Sequence, residues 1–518
     1  MPTPDILTLY AGSQPDKPAA IEDRPDGMIE QWSYAELNRR ANRLAHVMLG
    51  LGVKPRDKVI WCGQNSLGVV EMIHAARKVK ATAVPLGYRL SPEEAAYVVD
   101  NSDAVLVYAD AEHEEMFAKI RSQIPKVRHI LIYGGTPGPG MLDSAKLAAE
   151  ATDAEPEVES EAEGDTMIYT SGTTGHPKGT VRSGAGDPAQ GAAMLQLIGY
   201  QPSDVYLTTG PLYHSGPGGF MAIAYALGNT VVLQRKFDPE DWLRLVDRYR
   251  VTSTFSAPTP IRRICSLPAE VLARYDRSSM RVMIANAAPW SFALKQQYVE
   301  TFPPDSLWEV YGSTELGVNC ILRPQDQLRK RGSCGQAAPA VEIALFDDEG
   351  RRIEEPNRPG ELFVRSSGAF STYYKAQDKF EANQREGFLT VGDVAYFDEE
   401  GFYYICDRKN DMIISGGMNI YPAEIEAALE QHPSIFDVAV FGIPDEEWGE
   451  KVHATVVVRP GQTLEAHQVE DFAREHLAGY KIPRSISFCD ELPRTASGKI
   501  LKRQLREPFW EGHESRVL

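Results

Sequence analysis

The chain of 518 residues is 43% hydrophobic and 24% charged, which supports a large buried core and excludes a disordered or fibrous protein. Its 54 basic residues stand against 72 acidic ones, a formal net charge of −18 that argues against a sequence-independent hold on nucleic acid or an anionic membrane. The six cysteines, Cys62, Cys265, Cys320, Cys334, Cys406 and Cys489, form no CxxC pair, which predicts reduced thiols in a cytoplasmic protein rather than a disulfide frame or a zinc site.

The N-terminus lacks a basic, then apolar, leader, and no run approaches the roughly 20 apolar residues of a membrane span, so no integral membrane segment is expected. From Trp32 to about Tyr108, β-branched runs alternate with helical patterns, and Ser33 to Glu36 and Ser91 to Glu94 fit capping boxes, the second with Pro92 at the first helical position. Such alternation predicts parallel sheets covered by helices. The acidic stretch from Glu150 to Asp165 reads as a solvated connector, after which Met167-Ile168-Tyr169 starts a new buried strand. A second alternating region runs from about Val205 to Glu315, and Gly332 to about Ile405 reads as a smaller β-rich unit. After the polar cluster at Asp407 to Asn410, helices over Pro422 to Gln431 and Val469 to Leu477 and strands over Val438 to Phe441 and Val452 to Val458 make a portion long enough to be its own domain.

The most informative segment, Tyr169-Thr170-Ser171-Gly172-Thr173-Thr174-Gly175-His176-Pro177-Lys178-Gly179, follows an apolar strand directly. Hydroxyls, glycines that let backbone amides turn toward a ligand, and one lysine suit a polyphosphate. Pro177 stands where a Walker loop has its second glycine, and the segment alone also fits a flexible turn. Tyr311-Gly312-Ser313-Thr314-Glu315 sets a ring for a base beside hydroxyls for phosphate and a carboxylate, Glu315, for magnesium; alone, it fits a surface turn with a capping acid. Gly392-Asp393 puts a carboxylate at a strand end, where it suits both hydroxyls of a ribose or a plain turn.

Together with Asp407 to Asp411, Met412 to Glu426, and Pro493 to Glu507, these segments in this order resemble the adenylate-forming superfamily of acyl-CoA synthetases, peptide-synthetase adenylation domains and beetle luciferases. The resemblance spans essentially the whole chain and is greatest to fatty or aryl acyl-CoA synthetases. It implies an α/β protein: a large N-terminal domain, residues 1–409, of two helix-covered mixed sheets plus a β-rich subdomain, and a small mobile α+β C-terminal domain, residues 410–518. It implies that Thr170, Ser171, Gly172, Thr173, Thr174, Gly175 and Lys178 wrap the ATP phosphates, that Tyr311 stacks on adenine, and that Thr314 and Glu315 serve the α-phosphate and Mg2+. Asn286, Ala287, Glu309 and Gly312 complete the implied nucleotide site, and Asp393 and Arg408 match the ribose-binding pair. Lys499 matches the lysine that meets the substrate carboxylate and α-phosphate. His214, Gly216 and Gly218 fall at the acyl-pocket entrance, Ser415, Gly416 and Gly417 in the segment that faces CoA, and Asn410 at the domain hinge.

Three departures accompany the resemblance. Arg182 to Asp187 is glycine-rich where many relatives have a histidine-containing helix start; Ala285-Asn286-Ala287-Ala288-Pro289 replaces a glycine-rich stretch beside adenine; and Asn410 replaces an Asp or Lys hinge. The implied reaction joins a carboxylic acid to ATP as an acyl-adenylate and then to CoA, with no protein nucleophile. Small residues at Gly216, Gly218, Gly219 and Ala285 are expected to leave room for a medium or long fatty acid, or a bulky aromatic or alicyclic one. The implied partners are that acid, ATP and CoA, and a homodimer is compatible with the chain. The intact glycine segment and the lack of a carrier domain after Leu518 favour CoA as acceptor. Transfer to an amine or carrier protein is the alternative, and a non-catalytic nucleotide-binding protein would be expected to have lost Lys499 or Glu315.

Overall fold

A computed structural model of the chain describes residues 5–160, 164–170, 177–181, 186–288, 290–408, 411–416, 418–494 and 500–511. The first alternating region forms a five-stranded sheet, parallel throughout, in the order Thr82–Leu86, Lys58–Cys62, Ala104–Asp110, His129–Tyr133, Leu142–Asp143. Its strands are buried on both faces, as β-branched runs without polar alternation require. The helix Pro92–Asn101 covering it begins with the full Ser91–Glu94 capping box and Pro92 in its first turn.

The second region forms a nine-stranded mixed sheet. Its central strands Leu307–Ser313, Val282–Ala285, Ser253–Ser256, Val205–Thr208 and Thr230–Leu233 run parallel. Antiparallel strands close both edges, and one edge comes from the chain's start, Pro18–Asp23 pairing with Thr230–Leu233 and with Ile29–Ser33. The acidic connector is not simply solvated. Lys78, its side chain 1% exposed, needs counter-charge, and it takes Glu155 at 2.7 Å and Asp5 at 2.9 Å, pinning the connector and the first helix to the domain.

A six-stranded unit built around Gly360–Arg365 and Phe388–Phe397 fulfils the expected β-rich subdomain, and a short antiparallel sheet of Ile168–Thr170, Lys178–Val181 and Thr372–Tyr373 ties the polyphosphate-type segment to it. The smaller C-terminal domain has its own five-stranded sheet and core, with Ile413, Ile425, Leu429, Val440, Val452, Ala454 and Val469 buried between sheet and helices. Its helices run Pro422–Leu429 and Ala466–His476, and its long hairpin Ile435–Asp445 and Gly449–Val458. All six cysteines are free. Among the described residues no helix is long and apolar enough to cross a membrane.

Candidate active site

A cavity of about 1900 Å³ opens between the second sheet, the short antiparallel sheet, the β-rich unit and the C-terminal domain. At its centre the strand Leu307–Ser313 ends and the chain turns through Thr314 and Glu315. The turn depends on Gly312, where an added Cβ would collide with the Gly317 carbonyl oxygen. The Glu315 carboxylate accepts from Thr170 Oγ1 at 3.0 Å and from the Tyr373 hydroxyl at 3.4 Å. Lys178 Nζ sits 5.0 Å from the Tyr373 ring centroid, and burial, with Lys379 adding repulsion, lowers its pKa. Thr314 Oγ1 shares a 2.7 Å hydrogen bond with Ser215 Oγ at the start of the helix Ser215–Ala226. Thr170, Lys178, Thr314 and Glu315 are thus brought together as expected. Ser171, Gly172, Thr173, Thr174 and Gly175, with Asn410, Gly417 and Lys499, lie outside the described residues.

Asp393 and Arg408 face each other across paired strands, Arg408 Nε being 3.4 Å from Asp393 Oδ1. The Tyr311 hydroxyl donates to Asp393 at 2.5 Å, and burial, then the Asp393 charge, raises the phenol's pKa. Gly392 and Arg408 line the cavity, whereas the Tyr311 ring packs against the core and is not on the wall in this arrangement. Asn286 and Ala287 line it, with Asn286 Nδ2 donating to the Val310 carbonyl at 2.5 Å and Ala287 in the left-handed region at φ 72°. Glu309 is a correction. It sits on the opposite face of its strand, paired with buried Lys295, and does not line the cavity.

The acyl-side expectations divide. His214 lines the cavity, but its Nε2 is buried without a hydrogen-bond partner among the described residues, and burial, with Arg89 nearby, pushes its pKa down to about 4. It is a neutral ring packed on Tyr213, with centroids 4.3 Å apart. Gly219 does open onto space, nothing among the described residues lying within 4 Å of an added Cβ. Gly216 and Gly218 instead permit close packing: an added Cβ at Gly216 would run into the Phe255 ring, and one at Gly218 would lie 2.7 Å from the Leu212 carbonyl oxygen. Ala285 is fully buried in its strand, and neither it nor Gly218 lines the cavity.

From the C-terminal domain, Glu491, Arg494, Leu501 and Gln504 reach the cavity. Ser415 and Gly416 do not. Gly416, at φ 57°, lies against the Trp448 ring and donates its N–H to the Trp448 carbonyl at 2.8 Å. Sequence reasoning missed Ser215 and Tyr373: the first adjoins His214 and was within reach, whereas the second meets Glu315 only through the fold. Among the described residues no group of three or more His, Cys, Asp or Glu side chains forms a metal cage. A single carboxylate, Glu315, suits magnesium, which keeps water and substrate phosphates as most of its ligands.

Comparison with known proteins identifies the family and the fold. The model of the AMP-binding enzyme family matches residues 8–374, and that of the AMP-binding enzyme C-terminal domain matches residues 424–499. The chain is 33% identical to an indoleacetate–CoA ligase of Aromatoleum aromaticum, covering 97% of each protein. It is 30% identical to a fatty acid–[acyl-carrier-protein] ligase, ScoC, of Streptomyces coeruleorubidus, covering 97% of this chain and 95% of that one. The solved anthranilate CoA ligase AuaEII, in complex with anthranoyl-AMP, superimposes with a TM-score of 0.87 at 25% identity, covering 98% of this chain and 96% of that one. The chain belongs to the AMP-binding family of adenylate-forming enzymes.

Proposed function

We propose that the protein is an AMP-forming acyl-CoA ligase that activates a bulky carboxylic acid. The observation that carries this reading is the grouping of Thr170, Lys178, Thr314 and Glu315 around one cavity with an open acyl side at Gly219. A carboxylate is a poor acyl donor because its leaving group would be oxide. Attack by its oxygen on the α-phosphorus of ATP breaks the bond to pyrophosphate and leaves a mixed anhydride; a thiol then attacks the acyl carbon and AMP departs.

Lys178 and the segment beginning at Thr170 hold the outer phosphates, and Thr314 and Ser215 exchange their mutual hydrogen bond for contacts to the α-phosphate oxygens. Asp393 and Arg408 orient the ribose. Glu315 would hold Mg2+, which would supply charge neutralisation on the phosphates. Arg494 and Leu501 line the cavity on either side of the segment carrying Lys499, which supports Lys499 as the cation meeting the carboxylate and α-phosphate. Domains of residues 1–409 and 410–518 alternate about Asn410, one pose presenting Lys499 and the other presenting Ser415 to Gly417 to the pantetheine arm.

Cavity size and the open face at Gly219 support a medium or long fatty acid or a ring-bearing one over acetate. Each buried methylene contributes about 0.8 kcal/mol. The kinship with ScoC supports a second reading, transfer to a carrier protein. The deciding experiment is a panel of acids assayed for pyrophosphate release and thioester with and without CoA. Thioester formation with a bulky acid is expected; vigorous adenylation with no thioester at any CoA concentration moves the protein to the carrier or amide class.

A further inference from the structure

The C-terminal domain rests on the N-terminal one through a contact that the chemistry above does not use. Arg262, on the helix Pro258–Cys265, donates from Nη1 to the Phe436 carbonyl at 3.0 Å and stands 3.9 Å from the Glu430 carboxylate. Phe436 lies where the register of the edge strand Ile435–Asp445 shifts between Ile435 and Asp437. A bulge of this kind leaves a residue out of the ladder, and Arg262 takes the carbonyl there.

Three carboxylates, Glu426, Glu430 and Asp437, crowd this face of the C-terminal domain. Glu426 has Lys502 at 2.8 Å, and Asp437 has Arg494, both cations belonging to the same domain. The cation beside Glu430 comes instead from across the interface. Separating the domains breaks both the Arg262 hydrogen bond to the Phe436 carbonyl and the Arg262–Glu430 ion pair, so the arrangement favours the closed contact. The helix that carries Arg262 also lines the cavity through Thr259, Pro260 and Arg263.

We propose that Arg262 is a positioning residue: it latches the C-terminal domain in the pose that brings Arg494 and Leu501 to the cavity, and so favours adenylation over thioester formation. This rests on the two-step reading above. Arg262→Ala is expected to slow acyl-adenylate formation about ten-fold, the worth of a charged hydrogen bond, while attack of CoA on supplied acyl-adenylate is unchanged or faster. Glu430→Gln, which keeps the shape and removes the charge, is expected to move the ratio the same way, and Arg262→Lys to restore part of it. Trypsin cleavage after Arg408 or Lys409, located by mass spectrometry, is expected to accelerate several-fold in Arg262→Ala. Equal changes in both half-reactions, or interdomain cleavage no faster than in the wild type, overturn the latch. If the wild type adenylates no acid, the functional reading fails, and the cleavage comparison alone decides the latch.

Discussion

Lys295 and Glu309 form a buried ion pair away from the cavity, so removing the cation strands a carboxylate in the core. Lys295→Ala is expected to cost about 3–5 kcal/mol of stability, read from the denaturation midpoint, with both half-reactions impaired alike; an unchanged midpoint contradicts the pairing. Two histidines set an acid limit. Burial, with Arg77 nearby, pushes His74 down to about 3, and His214 stands at about 4, against an ordinary 6.5. Both are neutral in the fold and take protons on unfolding, so their contribution is whole above about pH 6.5 and is lost as pH falls toward those lower values. Among the described residues His74 Nε2 has no hydrogen-bond partner, and its ring meets Tyr225 edge-on, so His74→Leu is expected to flatten the fall in Tm between pH 6.5 and 4. An unaltered slope contradicts this.

At the scale of elements, the helix Ser215–Ala226 forms one wall of the cavity, proposed above as the acyl side, and its glycines do different work. Gly219→Leu fills open space and is expected to lower kcat/KM for bulky acids at least about ten-fold while sparing short ones. Equal loss for all acids would mean that this face is not the acyl wall. The helix start at Ser91 is legible in sequence because a capping box is local, needing only residues three apart. The distinction between Gly216 and Gly219 is not, because it depends on Phe255, which arrives from another strand. The side on which Glu309 falls is hidden for a related reason: Leu307–Ser313 is covered on both faces, so no polar alternation tells which side meets the ligand. The pairing of Asp393 with Arg408 was foreseeable only through the resemblance, since strand register is a long-range property.

For the whole molecule, one cavity must serve two reactions of the same carboxyl group, at phosphorus and then at carbon, and the side chains arriving from the C-terminal domain include Arg494 and Leu501, near Lys499 in sequence, but not Ser415 or Gly416. Lys499→Ala is therefore expected to lower adenylation by about two or more orders of magnitude while leaving attack of CoA on supplied acyl-adenylate largely intact. Equal loss in both halves, in a folded protein, contradicts alternation. The measurement that bears most directly on the central claim uses a turned-over acid labelled with oxygen-18 in its carboxylate, with ATP and CoA. Formation of an acyl-adenylate predicts one labelled oxygen in the AMP released and none in pyrophosphate. Label in inorganic phosphate, with ADP as the nucleotide product, would contradict it.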